Sequence, residues 1–304
     1  MDELDKNILV TLFQNCRTPY RLMAQNNGVS ANTIKKRVKK LLDTGVITDF
    51  IVDLSLEMVD GERCFIFIAT NGTEEEESFI QQIGTNPSVR YIAQVSGGAY
   101  IIFATYTDGT RDLSKIRTYL RGFHAVQNVE IHPLIEQRGK KADLSELQLI
   151  VLRQLAKDPR MPICEIARRT GLTSRTVRRL VSDFIKGDSV ELTICWNLNG
   201  GNSIAFLARV HWDEKMMDFN KVHELIQNEF SAEYWREISY VSAISPVLFA
   251  VFIVNNMKSI ENITKKVRKM PHITSVVTIM GKPVRSFPDI KTKRVQELLF
   301  ETGK

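Results

Sequence analysis

The sequence predicts an α+β chain in which two winged helix-turn-helix domains alternate with two small βαββαβ domains of ferredoxin-like topology. Three observations carry this prediction: a helix-turn-helix pattern near the start, a change to strand periodicity after it, and a repeat of the whole unit. A shift of 143 residues carries Thr33 onto Thr176, and the same shift carries Gly28 onto Gly171. A repeat this long indicates tandem domains rather than a solenoid.

The first helix-turn-helix pattern lies between Tyr20 and Ile47. Its second helix is predicted from apolar residues at helical spacing, which would form one buried stripe. The stripe consists of Ile34, Val38, Leu41 and Leu42. Ser30 can cap this helix, and Gly28 can end the preceding helix in the left-handed conformation. The second helix of such a pair enters the DNA major groove. The β-prone run Thr48–Leu56 predicts the wing.

The polar side of this second helix carries no acidic residue before Asp43. Most surface helices mix charges of both signs, so an all-basic face favours a polyanionic partner. The alternative is a lysine-rich helix that is merely solvated. The DNA-contacting residues predicted for copy one, including the cap and the flanks, are Ser30, Asn32, Thr33, Lys35, Lys36, Arg37, Lys39 and Lys40.

The second copy repeats the pattern with different side chains. Its predicted buried stripe is Val177, Val181, Phe184 and Ile185. Its predicted DNA-contacting residues are Thr173, Ser174, Arg175, Thr176, Arg178 and Arg179. Arginine near the helix start permits bidentate contact with guanine, whereas a phosphate would repel Asp183. Copy two is therefore predicted to bind DNA more weakly, to bind it more selectively, or to serve a protein contact.

Strand-like runs and helical runs alternate between and after the two helix-turn-helix patterns, in the order βαββαβ. The predicted domains are 1–61 and 139–200 (winged helix-turn-helix), 62–138 and 201–284 (βαββαβ), and 285–304 (a helical tail). The basic run from Arg138 to Lys141 is predicted to be a linker, and Gly281–Pro288 a connector. What the tail helix docks on is left open.

Composition is that of an ordinary globular protein, with 43% hydrophobic and 25% charged residues over 304 positions. A net charge of +6 permits nucleic-acid binding without requiring it. The four cysteines show no C-x-x-C spacing, which is typical of reduced thiols in a cytoplasmic protein. The acidic N-terminus lacks an apolar signal core, and no stretch approaches the length of a membrane span.

The run from Ser30 to Ile47, with Thr33, Arg37 and Gly45 at fixed spacing, resembles the recognition-helix signature of the Lrp/AsnC (feast/famine) transcription regulators. Counting both copies, the resemblance covers almost the whole chain, in a tandem duplicated form. It implies binding of double-stranded DNA through the helix, with pairing and effector sensing through the βαββαβ domain, called RAM in this family. A homodimer is expected because two-fold assembly is the commonest state. Pairing of the copies within one chain is equally compatible with the sequence.

The resemblance also implies that a small molecule, often an amino acid, binds at the turn between the second and third strands of the RAM domain. In copy one the implied effector residues are Ser96, Gly97, Gly98 and Tyr100. The corresponding turn of copy two, from Ser242 to Pro246, has no glycine. The alternative for the glycine pair is a plain hairpin turn.

Enzyme motifs are missing from the sequence. The five histidines form no H-x-x-x-H or HExxH pair, and neither a G-x-S-x-G motif nor a Walker loop occurs, so no catalytic residue, metal or cofactor is predicted. Siroheme decarboxylases share the layout and bind a porphyrin, which leaves an enzyme as one alternative. His132, Arg209 and His211 are the strand residues that could serve a tetrapyrrole. A second alternative is an interaction protein that does not bind DNA.

Overall fold

The structure is a computed structural model that describes residues 1–197, 199–200 and 203–300. The chain divides into two compact units, each of which collects like domains from both copies. The sheet unit comprises Met1, Glu62–Gln137 and Leu198–Asp289. The helix-turn-helix unit comprises Asp2–Gly61, Arg138–Asn197 and Ile290–Lys304. The two copies therefore pair within one chain, which answers the question that the sequence left open.

Copy one begins with three helices and a strand, which are α1 (Glu3–Gln14), α2 (Tyr20–Asn26), α3 (Ala31–Asp43) and β1 (Ile47–Leu54). The Asp2 side chain accepts a hydrogen bond from the Asp5 backbone N–H at 2.9 Å and so caps α1. Ile34, Val38 and Leu41 of α3 are buried as predicted, but Leu42 is 39% exposed. The buried stripe is thus narrower than the sequence pattern indicated.

The first βαββαβ domain follows, with β2 (Glu62–Thr70), α4 (Glu76–Gly84), β3 (Val89–Val95), β4 (Ala99–Tyr106), α5 (Gly109–Arg121) and β5 (Val126–Ile135). Both helices pack on one face of the sheet, where Ile66, Ile102 and Leu120 are fully buried. The other face is free of helices within this copy.

The second helix-turn-helix comprises α6 (Glu146–Leu155), α7 (Ile163–Thr170), α8 (Ser174–Gly187) and β6 (Val190–Trp196). Leu180 of α8 is buried, whereas Ile185 is 39% exposed, so the predicted stripe is wrong at Ile185 as it is at Leu42. β1 and β6 pair antiparallel as a two-stranded sheet, from Ile47 opposite Trp196 to Leu54 opposite Val190. The run predicted as a wing therefore joins the two copies.

The remaining elements are β7 (Ile204–Trp212), α9 (Phe219–Glu229), β8 (Tyr240–Ser242), β9 (Val247–Val254), α10 (Met257–Arg268), β10 (Ile273–Met280), β11 (Arg285–Ser286) and α11 (Ile290–Phe300). The segment predicted as a connector contains β11, which pairs with β3 of copy one. The tail helix α11 packs on α6 and β1 within the helix-turn-helix unit.

All strands of the sheet unit form one sheet in the order β10-β7-β9-β8-β5-β2-β4-β3-β11. The last strand of each copy reaches the second strand of the other copy. Leu134 of β5 pairs with Ser242 of β8, and the Met280 carbonyl at the end of β10 accepts from the Ser96 N–H at 2.9 Å. The helix-free faces also meet, with the Phe65 and Phe249 ring centroids 5.2 Å apart. Each copy thus covers the face that the other leaves bare.

Candidate nucleic-acid interface

The N-terminal end of α3 is fixed by its cap. The Ser30 hydroxyl accepts a hydrogen bond from the Thr33 N–H at 3.0 Å, which satisfies one orphan donor of the first turn. Of the residues predicted to contact DNA on this helix, the structure places Asn32, Lys35, Lys36, Lys39 and Lys40 in solvent, with Thr33 half-buried. Lys39 is partly neutralised by Asp43, at 2.7 Å. The remaining lysines present a positive face.

Arg37 lies on a different side of α3. Its guanidinium is 2.6 Å from Asp2 and 3.1 Å from Asp5, so it ties α3 to the start of α1. The hydrogen bond from Arg37 to Asp2 raises the pKa of Arg37 and keeps it charged. The structure therefore shows Arg37 in ion pairs that join α3 to the start of α1, and its contact with DNA stays a prediction.

Copy two replaces this ion pair by an apolar contact. At the position of Arg37 stands Leu180, which is buried, and the counterparts of Asp2 and Asp5 are Ser145 and Gln148. Ser145 and Gln148 form a capping box at the start of α6. The arginine and both of its acidic partners have been exchanged together, so α8 is held by packing rather than by charge.

The start of α8 concentrates arginine. Thr173 caps the helix by accepting from the Thr176 N–H at 3.2 Å. The residues exposed beside this cap are Ser174, Arg175, Arg178 and Arg179, with Thr176 half-buried. Asp183 is exposed one turn further on and interrupts the positive face of α8, which carries one more exposed cation, Lys186, in its last turn.

Two further arginines were missed by the sequence analysis. Arg168 and Arg169 lie in the last turn of α7, and each forms an ion pair with Glu165 at 2.6 Å. In helix-turn-helix proteins the helix at this position crosses the DNA backbone. Hydrogen bonds from Arg168 and Arg169 hold the pKa of Glu165 at about 2. The 143-residue shift could have found them, because it turns Gln25 and Asn26 into Arg168 and Arg169.

The implied effector turn of copy one is a left-handed hairpin turn, with φ of 85° at Gly97 and 67° at Gly98. Both glycines are exposed. Two of the predicted contacts are already used, since the Ser96 N–H donates to the Met280 carbonyl and the buried Tyr100 hydroxyl donates to Glu74 at 3.0 Å. Of the predicted set, the two glycines and the side chain of Ser96 are exposed, although the Gly98 carbonyl accepts a hydrogen bond from the Thr70 N–H at 3.0 Å.

His132 and Arg209 come together where the two copies of the sheet unit pair. Arg209 donates to the Glu130 carboxylate at 2.9 Å, while His132 lies 2.9 Å from the same carboxylate and 3.0 Å from the Ser242 hydroxyl. The hydrogen bond from Arg209 holds the pKa of Glu130 at about 2, and burial lowers the pKa of His132. The Arg209–Glu130 ion pair is therefore neutralised internally, and burial favours the uncharged form of His132.

Within the part of the chain that the structure describes, no group of three or more His, Cys, Asp or Glu residues is arranged to hold a metal ion. Over the same residues, no helix is both long and apolar enough to cross a membrane.

Comparison with known proteins identifies the class. The protein-family model of the AsnC-type helix-turn-helix domain matches residues 1–42. The family model of a winged helix-turn-helix DNA-binding domain matches residues 144–188. The regulator LysM of Sulfurisphaera tokodaii is 30% identical over 42% of this chain and 89% of its own length. The regulatory protein AsnC of Haemophilus influenzae is 31% identical over 43% of this chain and 88% of its own.

A solved structure matches almost the whole length. The siroheme decarboxylase NirDL, in complex with an iron-uroporphyrin III analogue, covers 97% of this chain and 98% of that chain, with a TM-score of 0.57 and 13% identity. At this identity the likeness shows the fold alone, and it shows that the four-domain layout is a known fold. The chain belongs to the Lrp/AsnC family and is a DNA-binding transcription regulator in tandem duplicated form.

Proposed function

We propose that the chain is a sequence-specific regulator of double-stranded DNA that reads two unlike half-sites with one molecule. The observation that carries this proposal is the contrast between the exposed lysine face of α3 and the arginine-rich start of α8. Lysine acts on phosphate as a point charge, whereas arginine can bind guanine in a bidentate manner. In this proposal α3 mainly binds the phosphates of the DNA backbone, and α8 contributes contacts to the bases. Arg37 positions α3.

Footprinting with single substitutions tests the division of labour. Lys36→Ala is expected to weaken protection over one half-site, and Arg175→Ala to weaken it over the other, with reduced discrimination at a guanine. Each good bidentate pair is worth about 1–3 kcal/mol of discrimination. Reduced protection over the same half-site in both variants, or no effect of Arg175→Ala, would contradict the proposal.

The proposal includes the predicted domain organisation. It also includes a cytoplasmic location, because a transcription regulator acts where the chromosome is. The homodimer also stays a proposal. The β1–β6 ladder and the β5–β8 contact are satisfied within one chain, so a dimer of chains would use another surface. The mass of the particle in solution, by light scattering, distinguishes one chain from two.

The effector proposal concerns the Gly97–Gly98 turn of copy one. Its support is the exposed left-handed backbone of these two glycines, where an anionic group can approach N–H groups closely. We therefore propose that an amino-acid-like ligand binds copy one and not copy two, whose turn carries the exposed side chain of Ile244.

Thermal unfolding with L-amino acids added one at a time tests the effector site. Gly98→Val places a branched side chain in a left-handed position and is expected to abolish any ligand-dependent rise in Tm. Its own Tm without ligand serves as the baseline, since the substitution is strained. Ile244→Val is the control and should keep the full shift. A ligand located only beside Ser242–Pro246 would contradict the proposal.

The tetrapyrrole enzyme is the second candidate, favoured by the meeting of His132 and Arg209. We propose that the chain is not such an enzyme, because Glu130 already neutralises Arg209 and His132 is buried. Absorbance in the Soret region after incubation with an iron porphyrin discriminates the two functions. A bound band that disappears in Arg209→Ala would favour the enzyme.

A further inference from the structure

The first helix of copy one packs directly on the paired strand of copy two. The Phe13 ring stacks on Trp196 with centroids 4.7 Å apart, and the Thr193 hydroxyl donates to the Phe13 carbonyl at 2.6 Å. The Cys16 N–H donates to the Leu192 carbonyl at 2.7 Å. Aromatic stacking and two hydrogen bonds thus hold the end of α1 and the residues after it against β6.

The other end of the ladder has smaller and more polar residues at the corresponding positions. The 143-residue shift gives Ala156 as the counterpart of Phe13, and Asp53 as the counterpart of Trp196. A methyl group and a carboxylate cannot fill the volume of two stacked rings, and protein interiors tolerate few voids. Asp53 also lies opposite Glu191 in the ladder, so two like charges face each other there.

Helix α11 packs against β1 and α6. Lys291 is only 2% exposed, and its Nζ atom lies 3.0 Å from an Asp53 carboxylate oxygen. At the other end of the helix Leu299 is also 2% exposed, and its carbonyl accepts a hydrogen bond from Arg153 of α6 at 2.8 Å. The tail therefore supplies both the volume and the positive charge that copy two lacks.

We propose that α11 is the positioning element of the second helix-turn-helix, seated on a surface between α6 and β1 that accepts a helix with one buried lysine. The segment that occupies this surface is the tail helix α11 of the same chain. Because α6 packs on α7 and α8, fixing α6 also fixes the reading helix α8. Copy one does not depend on α11 in the same way, since the Phe13–Trp196 stack holds α1.

Hydrogen exchange of the full chain tests the positioning role of α11 without reference to DNA. Lys291→Glu places a third acid beside Asp53 and Glu191 and is expected to raise amide exchange in α6 and α8 by about tenfold or more, with α1 and α3 unchanged. Lys293→Glu makes the same charge change at an exposed position of α11 and should leave all four helices unchanged. Equal exchange in both copies, or no difference between the two variants, would overturn the proposal.

A second variant excludes a general folding defect. The chain that ends at Asp289 should show the same selective loosening of α6 and α8, and a peptide of residues 290–304 should restore slow exchange. The same peptide carrying Lys291→Glu should not restore it. Restoration by both peptides, or by neither, would show that the lysine seat is not what holds copy two.

The DNA readout rests on the proposed function and fails separately from it. In footprinting, Lys291→Glu is expected to remove protection over the copy-two half-site and to retain it over the copy-one half-site. Selective loosening of α6 and α8 with both half-sites still protected would refute DNA reading by α8 and uphold the positioning role. Unchanged exchange would refute the positioning role itself.

Discussion

Replacement of Lys36, Lys39 and Lys40 by alanine is expected to weaken binding to specific and non-specific DNA alike. These side chains lie in solvent on α3. Removing one lysine–phosphate ion pair should make the negative slope of log K against log salt shallower by about 0.9. Lys39 should contribute least, because Asp43 lies 2.7 Å from it. The measurement is a salt titration of binding to a specific duplex and to a duplex of unrelated sequence.

A matched control for this triple variant is available on the sheet unit. Lys258, Lys265 and Lys269 are exposed along α10 and just after it, so their joint replacement by alanine removes the same charge from the chain. This control should keep the salt slope of the unchanged protein. An equal drop in both variants would mean that net charge, and not the face of α3, governs binding.

Gly139→Ala is expected to cost about 3 kcal/mol of the free energy of unfolding. Gly139 has φ of 73°, and a Cβ atom there would lie 2.5 Å from both the Asp188 carbonyl oxygen and the Ser55 side chain. The run that was predicted to be a simple linker is pinned here, since the Lys140 N–H donates to that same Asp188 carbonyl at 2.8 Å. Chemical denaturation followed by circular dichroism measures the loss.

Gly45→Ala separates backbone strain from crowding. Gly45 has a similar φ of 67° in the same unit, but no atom lies within 4 Å of a Cβ built on it. Its replacement should cost only the strain of the left-handed conformation, about 1 kcal/mol. Equal losses in the two variants would contradict the close contact at Gly139.

The local features of the fold were predictable because neighbouring residues determine them. Ser30 caps α3 as expected, and Gly28 adopts the left-handed conformation with φ of 64°. The same reasoning failed at Leu42 and Ile185, which have helical spacing to the core but lie at its edge. Periodicity gives the direction of a side chain and not the extent of the surface that covers it.

The long-range features could not be read from the sequence. The partner of Arg37 is 35 residues away, and the partner of Lys291 is further still. No period or spacing links such residues, and each would pass for an ordinary exposed cation. The ion pairs of Arg37 with Asp2 and Asp5 are contacts of this kind. The DNA contacts predicted for α3 and α8 stay predictions.

The antiparallel ladder of β1 with β6 has a consequence for dilution. Two separate chains that pair through such strands come apart as their concentration falls, because their association is bimolecular. In this protein the partner strand is tethered to the same backbone, so its effective concentration is set by the connecting segments and not by the number of molecules present. In a cell that contains only a few molecules of the protein, β1 and β6 would still be paired in every molecule.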